Sequence, residues 1–280
     1  MAGERHRDEL GPFGADDADW EGPSIVFDVG GRLDLPEGFV VPPLRLAPPE
    51  DLAAAAREAP AMARLAAFAD WVGKGRRLGE DAELEASEQQ DLGAHLGLEP
   101  EEWLDTGDDF VSGPYETQAS LLTEWATVAG LVHQRGRKLL RTAQGRNMYA
   151  DPLAAWRSAF DALLELGVVG LGGNGPPWGE TVDAAIPDVI VLANAARDPL
   201  ALSDVVDRLC AEEQELLTFT GDDDDAVREA IGEDASVMVN RLSELGLVLQ
   251  DGEALSGTPL GTWAAVRLLE EDGLDVPLLQ

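Results

Sequence analysis

Along most of this chain apolar residues recur every three or four positions, the spacing of helices that bury one face. The clearest case is "DPLAAWRSAFDALLELG" (151–167), where Leu153, Trp156, Phe160, Leu163 and Leu164 fall on one side. Asp151 is placed to cap that helix, and Pro152 suits its first turn. A helix also begins at Pro48 and Pro49 and runs through alanine-rich sequence, with Pro60 breaking it in two. Further helices are expected within 78–98, within 118–132 and, after the linker candidate that ends at 188, over the rest of the chain up to a second hairpin-like segment near 247–260. Ahead of them lie a strand at Ile25–Val29, a Gly-Gly turn and an extended arm whose prolines at 36, 42 and 43 forbid a helix. Residues 100–116 read as a loop, and the Gly- and Pro-rich "VVGLGGNGPPWGETVDAAIPD" (168–188) reads as a linker.

Strand-like alternation is confined to two hairpin-like segments, and they are related. "AGLVHQRGRKLLRTAQG" (129–145) aligns without gaps on "LGLVLQDGEALSGTPLG" (245–261), with eight of seventeen positions identical. The pairs are Gly130/Gly246, Leu131/Leu247, Val132/Val248, Gln134/Gln250, Gly136/Gly252, Leu139/Leu255, Thr142/Thr258 and Gly145/Gly261. The first glycine ends a helix, Leu-Val opens a strand, the second glycine turns the hairpin, and the later leucine returns on the second strand. The threonines stand where the chain leaves the hairpin for the next helix.

Helix, strand, glycine turn, return strand and helix is the layout of a winged helix. In the C-terminal copy, 202–219, 222–232 and 233–248 supply three helices, the last in the recognition position, and 263–273 follows the wing. The stretch 68–97 reads as a third, more diverged relative. The expected fold class is mainly α with short β-hairpins, in two or three winged-helix-like units in tandem. The expected divisions are a mobile leader and Pro-rich arm (1–46), a helical domain with one such unit (47–175) and a second unit (176–280).

Charge changes this picture most. There are 54 Asp and Glu against 20 Lys and Arg, a formal net charge of −34, and only two of the cations are lysines, Lys74 and Lys138. Such a surface repels polyanions, whose binding depends on counterion release to cationic side chains. Salt adaptation, codon bias and an acidic face for a basic partner would each produce it. The exception is the first hairpin, where Arg135, Arg137, Lys138, Arg141 and Arg146 form a candidate contact for nucleic acid or an acidic partner. The C-terminal recognition-type helix instead offers Glu233, Asp234, Asn240, Arg241 and Glu244.

Three segments carry a family resemblance: "VPPLRLAP" (41–48), "ADWVGKGRRLG" (69–79) and "LGTWAAVRLLEEDGLDVP" (260–277). Over roughly residues 40–280 the chain resembles a group of actinobacterial proteins built from degenerate winged-helix-like units. Gly79 stands where that group has a threonine. The resemblance implies a fold and carries no activity with it.

Other chemistry is thin. "GDDDDAVREAIGED" (221–234) lacks the alternating ligands and the sixth-position glycine of a calcium loop, and the dipole of a helix N-terminus accounts for its acids. "GLGGNG" (170–175) has the dinucleotide-binding spacing without the strand before it or the helix after it. Three histidines and one cysteine, Cys210, complete none of the hydrolase, zinc or P-loop patterns. Trp125, Trp156 and Trp263 lie in amphipathic helices and are expected to plug the core or the seams between units. No apolar run reaches the ~18 residues of a membrane span, and the first residues lack the apolar stretch of a signal peptide.

The expectation is a cytoplasmic, non-enzymatic interaction or regulatory protein that binds protein and needs no cofactor or metal. The alternatives are a DNA-binding regulator touching phosphates weakly through 133–146, and an acidic DNA mimic that sequesters a basic partner.

Overall fold

Proline sets the first two helices. Its fixed φ suits a first turn, where its missing N–H would have had no partner, and it cannot continue a helix already running. Helices α1 (Pro49–Glu58) and α2 (Pro60–Val72) each start on one, and Ala59 between them is extended. The structure is a computed structural model that describes residues 33–36, 38–98, 116–167, 178–195, 198–220 and 224–279. The strand expected at Ile25–Val29 and the "GLGGNG" turn lie outside those residues.

After α2 come β1 (Arg76–Arg77), α3 (Ala86–Leu96), α4 (Glu116–Val128), β2 (Val132–Gln134), β3 (Lys138–Arg141) and α5 (Ala143–Asn147). Helix α6 (Pro152–Leu166) follows, its N-terminus capped by the Asp151 carboxylate, which accepts from the Ala154 amide. Then α7 (Trp178–Ala184) and α8 (Ile186–Ala195) lead to β4 (Leu200–Ala201), α9 (Leu202–Thr220), α10 (Asp224–Glu244), β5 (Val248–Asp251), β6 (Ala254–Gly257) and α11 (Pro259–Glu271). The protein is mostly helical, and the described residues form two antiparallel three-stranded sheets ordered β1-β3-β2 and β4-β6-β5.

The two sheets belong to two copies of one unit: helix, short strand, helix, helix, hairpin, helix. Leu139 of β3 pairs with Gln134 and Arg76, and Leu255 of β6 pairs with Gln250 and Leu200. That register makes β1 equivalent to β4 and α2 equivalent to α8. Residues 78–85 separate β1 from α3 in the first copy, whereas β4 runs straight into α9 in the second.

Three expectations change accordingly. The stretch 68–97 is no third unit; it supplies the end of α2, β1 and α3 of the first. The C-terminal unit begins with α8, which starts in the last three residues of the segment read as linker, so 202–219 is its second helix. The segments 222–232 and 233–248 are not two helices but one, α10, which runs through Gly232. A lone interior glycine costs a helix only about 1 kcal/mol relative to alanine, too little to end one flanked by good formers. A two-residue strand such as β1 or β4 has no periodicity to detect.

The identities between the hairpins have the same mechanical use in both copies. Gly130 and Gly246 adopt φ of 69° and 74°, ending α4 and α10. The Leu131 amide then donates to the Ala126 carbonyl, and that of Leu247 to Leu242, each at 2.8 Å, the C-terminal pattern that satisfies otherwise orphaned carbonyls. The Thr142 hydroxyl donates to the Gly130 carbonyl (2.7 Å) and accepts from the Gly145 amide (3.0 Å). Thr258 does the same with Gly246 (2.6 Å) and Gly261 (2.9 Å). Gln134 and Gln250 each donate to the carbonyl of the turn glycine, Gly136 or Gly252, at 3.1 Å. Gly145 and Gly261 lie so close to the carbonyls of Leu131 and Leu247 that a Cβ could not fit.

One contact differs. In the first copy the Thr142 amide donates directly to the Leu131 carbonyl at 3.0 Å. In the second, the Asn194 carboxamide is inserted there, donating to Leu247 (3.1 Å) and accepting from the Thr258 amide (2.9 Å). Asn194 corresponds to Asp70, which instead pairs with Arg141 at 2.5 Å. Arg141 in turn corresponds to Gly257, where a Cβ would meet Asn194 Oδ1 at 2.9 Å. Side chain and space have been exchanged together.

Between the copies the core is continuous, and α6 joins them. The Trp125 indole of α4 donates to the Ala159 carbonyl (2.9 Å), and the Trp156 indole of α6 donates to Leu245 at the end of α10 (2.8 Å). Both rings are buried, and Trp263 of α11 packs edge-on against Trp156 at 5.7 Å. The arm lies along the second copy. Its Leu33 and Asp34 amides donate to the carboxylates of Asp272 and Asp188, and Leu44 forms a parallel bridge with Leu278.

Gly261→Ala should destabilise the protein by roughly 1–3 kcal/mol, the usual cost of forcing volume into a packed contact. Gly232→Ala, in a helix with nothing within 4 Å of the added methyl, should stabilise it by about 0.5–1 kcal/mol. Thr258→Ala should cost about 1–2 kcal/mol through the lost cap. Urea unfolding followed by circular dichroism measures all three.

Candidate interaction surface

Because side chains alternate across a strand, cross-strand partners share a face. In the first sheet Leu139, Val132 and Arg76 face the helices, while Arg77 and Lys138, paired across β1 and β3, face outward together. The outer face also carries the cross-strand pair His133 and Leu140. Arg135 and Arg137 flank Gly136 at the hairpin tip, and Lys74 precedes β1; all three are exposed. The fold therefore gathers Lys74 and Arg77, from far earlier in the chain, beside the basic hairpin, and both lysines of the chain are in this group.

The five cations singled out from the sequence are held differently. Arg141 is only 17% exposed and committed to Asp70 and, at 3.0 Å, to the Gly145 carbonyl. Arg146 is exposed but turns back to the Arg141 carbonyl at 3.2 Å. Arg137 donates to the Leu78 carbonyl at 3.3 Å and lies 3.5 Å from Glu80, an exposed contact of small energetic weight. Arg135 and Lys138 have no ion pair among the described residues, and neither have Lys74 and Arg77. The last two were missed because only strand pairing places "GKGRR" beside the hairpin. Their signal in the sequence was the local scarcity of acids from Val72 to Leu78.

Arg76 is a structural cation. It stacks on Trp71 at 4.1 Å and reaches Glu88 (3.1 Å) and Asp91 (2.9 Å), tying β1 between α2 and α3. The Trp71 indole donates to Asp91 at 2.8 Å; that bond, together with the Arg76 charge, holds the Asp91 carboxyl below the usual carboxylate range.

Next to the sheet, the exposed or half-buried face of α4 shows Thr117, Ser120, Thr123, Glu124 and Thr127, with one acid among four hydroxyls. The corresponding positions of α10 show Glu233, Ser236, Asn240 and Ser243, with Glu229 exposed one turn earlier. At the second hairpin tip stand Asp251 and Glu253, with Leu249 61% exposed beside them.

Among the described residues no group of three or more His, Cys, Asp or Glu side chains converges as a metal site would require, and no helix is long and apolar enough to cross a membrane. Cys210 is half-buried, and burial raises its thiol pKa, which disfavours the reactive thiolate. No protein-family model, curated protein or solved structure matches this chain.

Since the Asp91 pKa is depressed in the folded state, its contribution to stability is present above the unfolded carboxylate value of about 3.9 and is lost as pH falls through the folded value. The gap in denaturation midpoint between the native protein and Asp91→Asn should therefore be wide at neutral pH and close in acid. Urea titrations at the two pH values measure it.

Proposed function

We propose that the chain is a non-enzymatic interaction or regulatory protein in which two winged-helix-like units bind protein. The order helix, strand, helix, helix, hairpin, with the first strand added beside the returning strand of the hairpin, is the layout of a winged helix, and here it occurs twice. The observation that carries the protein-binding reading is the charge of the second unit. The helix and hairpin tip that would meet phosphate in a nucleic-acid reader carry Glu229, Glu233, Asp251 and Glu253. Those groups would repel a phosphate backbone and suit a basic protein surface.

One observation favours a second reading, a DNA-binding regulator that works through the first unit. Arg135, Lys138, Lys74 and Arg77 are without ion pairs among the described residues, beside a helix face rich in hydroxyls. Four such contacts would give weak binding that falls steeply with salt.

The protein retained from a native lysate at low salt should be a basic one, and Glu229→Arg with Asn240→Arg on α10 should abolish its retention. Retention of nothing, or of the same proteins by the variant, would count against this function. For the second reading, a gel-shift series across salt should show a complex that Arg137→Ala with Lys138→Ala weakens. No shift at low ionic strength removes that reading.

A further inference from the structure

The repeat allows charge to be compared position by position. Through the shared hairpin register, Arg135 corresponds to Asp251 and Arg137 to Glu253, each pair flanking a turn glycine, Gly136 or Gly252, with φ of 59° or 61°. Through the pairing of β1 with β3 and of β4 with β6, Lys74 corresponds to Asp198. All six side chains are exposed. At three equivalent places the two sheets thus carry opposite charge on the same backbone geometry. Neither set is spent inside the molecule: apart from the long exposed contact of Arg137 with Glu80, none of the six makes an ion pair among the described residues.

From this inversion we propose that the basic sheet β1-β3-β2 of one molecule docks against the acidic sheet β4-β6-β5 of a second copy of this chain. The two surfaces are complementary in sign at three positions. The acidic one has an apolar centre in Leu249, and the basic one offers the half-buried Leu140 on its outer face. If each copy presents both surfaces to the other, the contact closes as a two-fold dimer. If they cannot meet reciprocally, it propagates head to tail.

A polyanion fits the basic sheet less well. It would leave the acidic sheet unexplained, and it meets a net charge of −34 without any compensating acid-to-base contact. Two copies also repel one another at long range, but that repulsion is screened beyond roughly 8 Å at physiological salt, whereas paired charges in contact are screened less. Self-association should therefore strengthen from very low to moderate salt. Phosphate binding weakens over the same range.

Sedimentation velocity and light scattering on the full chain, over a concentration series at moderate salt, test the proposal. Two reversed chains are needed: Lys74→Asp with Arg135→Asp and Arg137→Glu, and Asp198→Lys with Asp251→Arg and Glu253→Arg. Each substitution installs a residue of the charge its counterpart carries in the same backbone setting, so both chains should keep the native circular dichroism spectrum. The native protein should exceed monomer mass as concentration rises. Either reversed chain alone should associate at least roughly tenfold more weakly, because reversing three charges replaces attraction between the sheets by repulsion. Mixed together, one acidic and the other basic at all six positions, they should associate again. Monomer mass at every concentration overturns the proposal. So does association that the reversals leave unchanged, or a monomer whose basic sheet shifts nucleic acid. The proposal shares Asp251 and Glu253 with the heterologous protein-binding reading but not α10, so a monomer that still retains a basic partner through α10 defeats self-association alone.

Discussion

A single threonine hydroxyl in each unit makes two hydrogen bonds on which the surrounding geometry depends. In the first unit it donates to Gly130, at the end of one helix, and accepts from Gly145, at the start of the next. The hairpin between those points is thereby closed into a loop of set length. The closure is tight because Gly145 brings the new helix onto the Leu131 carbonyl with no side chain between them. Thr258, Gly246 and Gly261 repeat the construction. Each part needs one residue type: a hydroxyl to cap, a glycine for positive φ, and a glycine for close approach. All three positions are identical in the two copies.

Around that closure the copies have diverged in compensating steps. The first joins hairpin and helix by a direct backbone bond and leaves room for Arg141, which Asp70 neutralises. The second threads Asn194 into the same gap and keeps Gly257, where the twin has an arginine. A buried carbonyl left without a donor costs about 1–3 kcal/mol, and each copy keeps one on it: the Thr142 amide and hydroxyl on Leu131, the Asn194 carboxamide on Leu247. Charge at the hairpin tips carries no such penalty, because exposed side chains can change sign with little effect on folding. That freedom lets the residues flanking each turn glycine differ in sign. It also makes opposite charge at equivalent places informative about what meets those surfaces.

The helices with strong periodicity were legible. Helix α6 appears with its Asp151 cap, its proline start and its Trp156, Phe160 and Leu163 face buried. The hairpin repeat was legible too, since glycine, threonine and leucine at fixed spacing leave little choice of local geometry. Helical character after residue 188 was legible too, but not that α8 is the second unit's first helix: it is buried on several sides, with Ile186, Val189, Ile190, Val191 and Ala193 all in the core. Strands β1 and β4 were hidden because each is two residues long. Half of the candidate surface went with them, since Lys74 and Arg77 join it only through β1.

The sequence by itself determined the mostly helical character, the two hairpins and the identity of their framework, because these rest on interactions within a few residues. Only the tertiary structure decided which first helix and first strand belong to each hairpin, and which cations are consumed. Arg141 and Arg76 look as available in the sequence as Arg135 and Lys138 do. They differ because Asp70, Glu88 and Asp91 arrive from other elements to neutralise them. Electrostatic availability is a property of the partners that packing brings within a few ångströms, and no local pattern records them.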